Sequence, residues 1–305
     1  MKHVVSFYLF TKLERPANVQ AELQRNLAAQ GVVGTVLLAN EGINATLAHG
    51  VRKTLEECVG FIEELLANLQ LNAKYSTADA DNEVFYRLKI KVRDEIIQFG
   101  RSLQSSDEVG NHVNASEWNQ LLQDPDVLML DIRNDYEIAI GSFPGAIPIG
   151  TTRFSEFGAH AQQVMQEQGL SKVAMYCTGG IRCEKASHAL LELGAEAVYQ
   201  LDGGILRYLE TVEGACNKWQ GECFVFDQRV TLDKNLAQGR FDQCHACRRP
   251  ISDEDKRSEY YVKSVSCPYC IDETTARQKE QFSERAKQAA LAEARGERHV
   301  GTPQV

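Results

Sequence analysis

The chain has 305 residues, 43% hydrophobic and 25% charged, an ordinary composition for a globular protein of two or three domains. Its net charge of −9 excludes a protein that coats nucleic acid through bulk charge, while leaving room for a local basic surface. No apolar run approaches the roughly 18 residues needed to span a bilayer, and residues 1–7 begin as a strand rather than as a signal peptide.

Residues 1–98 read as a βαββαβ unit. Residues 3–10 alternate as a strand. Pro16 suits a first helical turn, and the helix over 17–30 stops at Gly31. An apolar strand over 32–39 turns at Asn40-Glu41-Gly42 into a hairpin partner over 43–48. A second helix over 50–69 places Leu55, Val59, Ile62 and Leu66 on one face, and the last strand is expected over 84–92. This order predicts a ferredoxin-like (acylphosphatase-like) α+β sandwich, with helices on one side of an antiparallel sheet. In the last strand Arg87, Lys89, Lys91 and Arg93 share one face, and Leu88, Ile90 and Val92 point to the core. Two readings of the cationic row stand: a solvated sheet face, or a surface for an RNA phosphate backbone. Mutual repulsion among four like charges favours the second.

Residues 99–114 are polar and irregular, a linker. The next unit, 115–219, opens with Ser116 as an N-cap before a helix over 117–122. A buried strand over 127–130 ends at Asp131, and a helix follows over 153–168. A second buried strand over 172–176 ends at Cys177, and the helix over 182–193 is capped by Gly194. A strand over 198–201 leads through Asp202-Gly203-Gly204 into a helix to about Thr211. Alternating strands and helices predict an α/β domain on a parallel sheet. Residues 220–275 form a cysteine-rich region with a strand over 222–226. Residues 276–305 read as a charged, alanine-rich helical tail, disordered from 296 onward.

Nine cysteines, an odd number, in a chain read without a signal peptide point to a reducing compartment, the cytoplasm. The informative one is Cys177, in the run Cys177-Thr178-Gly179-Gly180-Ile181-Arg182 between a strand and a helix. A residue at the carboxyl end of a parallel strand lies where α/β folds hold ligands. The next helix presents free N–H groups and a positive dipole end, the glycines let amides turn inward, and Arg182 adds a cation. All three effects favour thiolate over thiol, so Cys177 is expected to be a nucleophile at neutral pH. Cys183, in the first turn of that helix, is either a resolving thiol for an oxidised or persulfidated Cys177 or a packing residue. The four-residue loop is shorter than that of the cysteine phosphatases and suits a bound sulfur or oxygen better than a phosphate.

Asp131-Ile132-Arg133, Tyr136-Glu137, Gly141 and Pro144-Gly145-Ala146 resemble the rhodanese entry motif, and Leu201-Asp202-Gly203-Gly204-Ile205 its closing motif. Ser142 and Phe143 replace the family's usual His before the Gly-Ala element. Asp131 and Arg133 are expected to pair or cap near the loop. The whole chain resembles a narrower group. Asn40-Glu41-Gly42-Ile43-Asn44-Ala45, the run Tyr176 to Lys185, and the paired cysteines near the carboxyl end are similar to those of the rhodanese-like tRNA uridine hydroxylases. That resemblance implies oxygen-dependent conversion of the wobble uridine to 5-hydroxyuridine. It puts the essential cysteine at Cys177, molecular oxygen as co-substrate, and the tRNA anticodon loop as partner. DNA and membranes have no part in it. No flavin fingerprint or iron-ligating triad stands in the sequence, so it names no electron donor, and it names no protein partner. The same cysteine would serve a sulfurtransferase carrying a persulfide. A scaffold that binds RNA or protein, with an idle loop, is the non-enzymatic alternative.

Cys244-x2-Cys247, nineteen residues, then Cys267-x2-Cys270 has zinc-ribbon spacing. Four thiolates close a tetrahedron and leave no open position, so zinc would be structural, holding a region with little core. Free thiols or a reversible disulfide are the alternatives. Arg240, Arg248, Arg249, Lys256, Arg257 and Lys263 surround the cluster, as RNA contacts or as solvated surface.

Overall fold

The computed structural model describes residues 1–80, 83–103 and 107–296. The N-terminal domain runs β1 (Lys2–Phe10), α1 (Pro16–Ala29), β2 (Val33–Ala39), β3 (Gly42–His49), α2 (Arg52–Leu65), β4 (Lys74–Ala78) and β5 (Leu88–Val92). The sheet order is β4-β1-β3-β2-β5. Strands β1 to β4 pair antiparallel in the ferredoxin-like pattern, and β5 joins the edge parallel to β2. Two expectations are thereby corrected. The closing strand of the βαββαβ unit is β4, whose short polar run hid it, and the strand near residue 90 is an addition that makes the sheet mixed. Val92 is exposed at 39%, because it ends an edge strand beyond the reach of the core.

The helices cover one sheet face, where Val5, Phe7, Leu38, Ile43, Leu55 and Ile62 are buried. The other face carries the alternate residues. Across it the register joins Lys89 to Thr35, Thr46, Ser6 and Lys74, and Lys91 to Leu37, Asn44 and Tyr8. One sheet face therefore links the basic edge strand to the strands nearest the central domain.

The expected linker is only partly one. Phe99 packs on Phe154 with ring centroids 4.9 Å apart. Residues 111–113 form a strand, and residues 104–106 lie outside the described residues. The central domain comprises β6 (Asn111–Val113), α3 (Ala115–Leu121), β7 (Val127–Asp131), α4 (Asp135–Ile138), β8 (Gly141–Ser142), β9 (Ile147–Pro148), α5 (Phe157–Gln168), β10 (Lys172–Tyr176), α6 (Ile181–Glu192), β11 (Ala197–Leu201) and α7 (Gly204–Thr211). Asn114, rather than Ser116, caps α3: its side chain accepts from the amides of Ser116 and Glu117. The five-stranded sheet has the order β6-β11-β10-β7-β9, parallel throughout. Helices α5 and α6 bury one face, and α3 and α7 the other, around Trp118, Tyr176 and Tyr208. Short paired strands follow: β12 (Gln220–Gly221), β13 (Cys223–Phe224), β14 (Thr231–Leu232), β15 (Asp242–Gln243) and β16 (Pro250–Ile251), then α8 (Ala276–Ala294). The strand expected over 222–226 shrinks to two residues. Residues 297–305, on which most of the expected disordered end falls, lie outside the described residues.

Candidate active site

Cys177 sits immediately beyond β10 and is fully buried. Gly180, at φ 97°, turns its amide inward and donates to the Cys177 Sγ at 3.2 Å. The start of α7 braces the same loop: the amides of Ile205 and Leu206 donate to the carbonyls of Cys177 and Thr178 at 3.0 and 3.1 Å. Burial alone would push the Cys177 thiol up. A hydrogen bond from the Cys183 thiol, the nearby Arg182 charge, and the amides of Arg182 and Gly180 outweigh it, and the pKa falls to about 5. Burial, and then the neighbouring Cys177 sulfur, drive the Cys183 thiol well above its ordinary value, so it stays a donor. Cys183 thus packs in the core, with its thiol donating to the Cys177 sulfur.

The guanidinium of Arg182 does not point freely into the loop. It forms a bidentate pair with the buried Glu137 carboxylate, at 2.7 and 2.8 Å. Burial works against the Glu137 charge, but Arg182 overrides it and holds that carboxyl below its usual range. Thr178 Oγ1 also donates to Glu137, at 3.3 Å, tying the loop to α4. Gly179 and Ile181 complete the turn, Ile181 as the first residue of α6. Asp131 and Arg133 pair at 2.6 Å with neither side chain exposed, and Tyr176 Oη donates to Asp131 at 2.6 Å. This pair fixes the ends of β7 and β10 beneath the loop.

The N-terminal domain contributes side chains that the sequence reading missed. Tyr8 of β1 donates to Glu184 of α6 at 2.8 Å, and a Cβ placed on Gly180 would meet its hydroxyl at 2.8 Å. Lys74 of β4 lies against Gly203. Lys185, two residues past Cys183, is buried and binds Glu41 at 2.8 Å and Glu95 at 2.5 Å. Glu41 belongs to the Asn40-Glu41-Gly42 turn and Lys185 to the run after Cys177, so the two resemblance motifs meet across the domain boundary. Pairing of an acidic turn with a helical lysine was the available signal.

Arg87, Lys89, Lys91 and Arg93 are all exposed on the edge of the N-terminal sheet. The Lys89 ammonium is lowered, first by partial burial and then by the charges of Arg87, Lys91 and, from the cysteine-rich region, Arg248. Other cations around the cysteines are spent locally: Arg240 pairs with Glu222, Arg249 with Glu273, and Lys256 with Asp242 and Asp253.

The sulfurs of Cys244, Cys247, Cys267 and Cys270 all lie within 4.8 Å of one another. Cys244–Cys270, Cys247–Cys267 and Cys267–Cys270 are 4.0, 3.7 and 3.6 Å apart. A tetrahedron with Zn–S bonds of about 2.3 Å has edges of about 3.8 Å, so the donor set fits a metal ion such as zinc.

A cradled cysteine at a parallel-strand end, an arginine anchored at the helix start and a covering ferredoxin-like domain define a rhodanese-type protein with an acylphosphatase-like cap. Residues 114–211 match the rhodanese-like domain family, and residues 2–96 match the UPF0176 acylphosphatase-like domain. The chain belongs to the UPF0176 rhodanese-like family. Among solved structures, it is 18% identical to the rhodanese-like domain of an Anabaena sp. protein, covering 36% of this chain and 78% of that one at a TM-score of 0.29. An EanB variant in complex with hercynine is 21% identical, with 32% of this chain and 28% of that one covered, at a TM-score of 0.28. A single-domain sulfurtransferase of Saccharomyces cerevisiae is 18% identical, with 35% and 94% covered, at a TM-score of 0.28. Among the described residues no helix is long and apolar enough to cross a membrane.

Proposed function

We propose that the protein converts the wobble uridine of certain tRNAs to 5-hydroxyuridine, with Cys177 as nucleophile and molecular oxygen as co-substrate. The observation that carries this reading is a buried cysteine whose sulfur accepts the Gly180 amide at 3.2 Å, an arrangement that favours thiolate, in a chain that joins a UPF0176 domain to a rhodanese-like one. Addition of the sulfur to C6 of the uracil moves the C5–C6 π pair through C4 onto O4 and leaves C5 electron-rich. One atom of dioxygen ends on C5. The other leaves as water, with two electrons from a reductant. Loss of the C5 proton and of the sulfur then restores the ring. The base must leave the anticodon stack to reach the loop. Arg87, Lys89, Lys91 and Arg93 are the phosphate contacts in this reading, and the four cysteines hold structural zinc. The test is nucleoside mass spectrometry of tRNA from cells lacking the protein. Loss of 5-hydroxyuridine, restored by wild type but not by Cys177→Ser, is expected. Unchanged 5-hydroxyuridine, or rescue by the serine variant, overturns the reading.

A second reading, sulfur transfer through a Cys177 persulfide, is supported by the narrow loop and the inward Gly180 amide. Rapid thiocyanate release from thiosulfate and cyanide, with no change in tRNA nucleosides, would favour it.

A further inference from the structure

Five cationic side chains are buried among the described residues: Lys74, Arg133, Arg182, Lys185 and Arg229. Four have a carboxylate partner: Asp131, Glu137, Glu41 and Asp227 respectively for Arg133, Arg182, Lys185 and Arg229. Lys74, only 4% exposed, is the exception. Its ammonium donates to the Asn72 carbonyl at 3.3 Å and sits 5.0 Å from the Tyr8 ring centroid. No carboxylate among the described residues lies within ion-pair distance of it. A buried ammonium with spare donors is costly, and such groups cluster where a ligand completes them.

Its position says which ligand. A Cβ on Gly203 would come within 2.9 Å of Lys74 Cε, and one on Gly180 within 2.8 Å of Tyr8 Oη and 3.6 Å of Gly203 Cα. Lys74 and Tyr8 therefore cover the mouth of the Cys177 loop. The groups that face Lys74 are Tyr8 of β1, Cys177, Glu184 of α6, Asp202 and Arg207 of α7. Burial, reinforced by Arg207, lowers the ammonium to about 8, while Asp202, Cys177 and Glu184 oppose the shift.

Resting on the hydroxylation reading, we propose that Lys74, delivered by the N-terminal domain, is a catalytic residue that donates to uracil O4 as the Cys177 sulfur bonds to C6. In that step the S–C6 bond forms, the C5–C6 π bond breaks, and the electron pair settles on O4, where the ammonium supplies a hydrogen bond or its proton. The active site is then shared between domains. The central domain brings the nucleophile, and the cap brings the electrophilic group and, on the same sheet face, the cations of β5.

An anticodon stem-loop carrying 5-fluorouridine at the wobble position tests this, with the covalent adduct read on a denaturing gel. Wild type should form the adduct and Cys177→Ser none. Lys74→Met should form it at least tenfold more slowly, with unchanged non-covalent affinity and a melting temperature no lower than wild type, since it removes an unpaired buried charge. Above pH about 8 the wild-type rate should fall more steeply than that of Lys74→Met, which keeps only the limb set by ionisation of the fluorouracil N3–H. A wild-type rate in Lys74→Met, or a loss explained wholly by weaker RNA binding, overturns the role of Lys74 and leaves Cys177 chemistry intact. A lower melting temperature with the same pH limb in both proteins makes Lys74 structural and overturns it also. Absence of any adduct in wild type sinks C6 attack itself, and this proposal with it.

Discussion

Replacing Lys185 by Met tests whether the cap is clamped to the central domain by one buried ion cluster. The Lys185 ammonium reaches Glu41 at 2.8 Å, Glu95 at 2.5 Å, and the carbonyls of Ile97 and Arg101 at 3.0 Å each. The side chains of Lys185 and Glu41 are each 1% exposed, so bulk water does not screen the pair. Glu41 also accepts from the amides of Ile96 and Leu103, which offsets only part of its burial cost. Removing the cation strands a buried carboxylate and should cost about 3–5 kcal/mol. At roughly 2–4 °C per kcal/mol, the melting transition that reports the domain contact should fall by roughly 6–20 °C in scanning calorimetry. Adding Glu41→Gln should recover part of that loss, because a neutral pair carries no stranded charge. The loosened cap should also speed alkylation of Cys177 by a small reagent, since Tyr8 and Lys74 no longer close the loop. A Lys185→Met variant that melts with the wild type and reacts at the wild-type rate would refute the clamp.

Other outcomes follow from separate parts of the molecule. Stripping metal with a thiol-reactive mercurial and a chelator should release one zinc per chain and expose residues 240–275 to protease, while the central domain stays folded; no released metal contradicts the tetrahedral assignment. The Lys89→Ala, Lys91→Ala double variant should weaken tRNA binding and reduce its salt slope by about 1.4–1.8, two phosphate contacts' worth; an unchanged slope removes the basic strand from the interface. Gly204→Ala should abolish activity and lower stability by several kcal/mol, of order 2–4. Gly204 has φ +65°, and a Cβ there would lie 2.4 Å from the Cys177 carbonyl and 2.8 Å from the Gly180 amide. A fully active alanine variant would mean that the loop is far softer than these contacts imply.

What the sequence disclosed was the part written in local pattern. The helix face of Leu55, Val59 and Ile62, the buried strand leading into Cys177 and the glycine-turned loop all rest on neighbours within a few residues. The CxxC pairs were legible for the same reason: their chemistry depends on spacing. Strand β4 escaped because Lys-Tyr-Ser-Thr-Ala carries little apolar alternation, and its pairing with β1 is decided by tertiary contact. The partners of charge were the least visible. Arg182 announced a cation beside Cys177, but nothing local revealed that Glu137, 45 residues away, would hold it. Lys74 and Tyr8 lie farther still in sequence from the loop they cover, and only the docking of two domains brings them there.

The central claim is that Cys177 is ionised at neutral pH. Thiolate ultraviolet absorbance, followed against pH for wild type minus Cys177→Ser, isolates this sulfur from the other cysteines. A titration midpoint near pH 5 is expected, from a pKa lowered to about 5. A midpoint near the ordinary thiol value of 9.0 would contradict the account, because no nucleophile would then stand ready at the strand end.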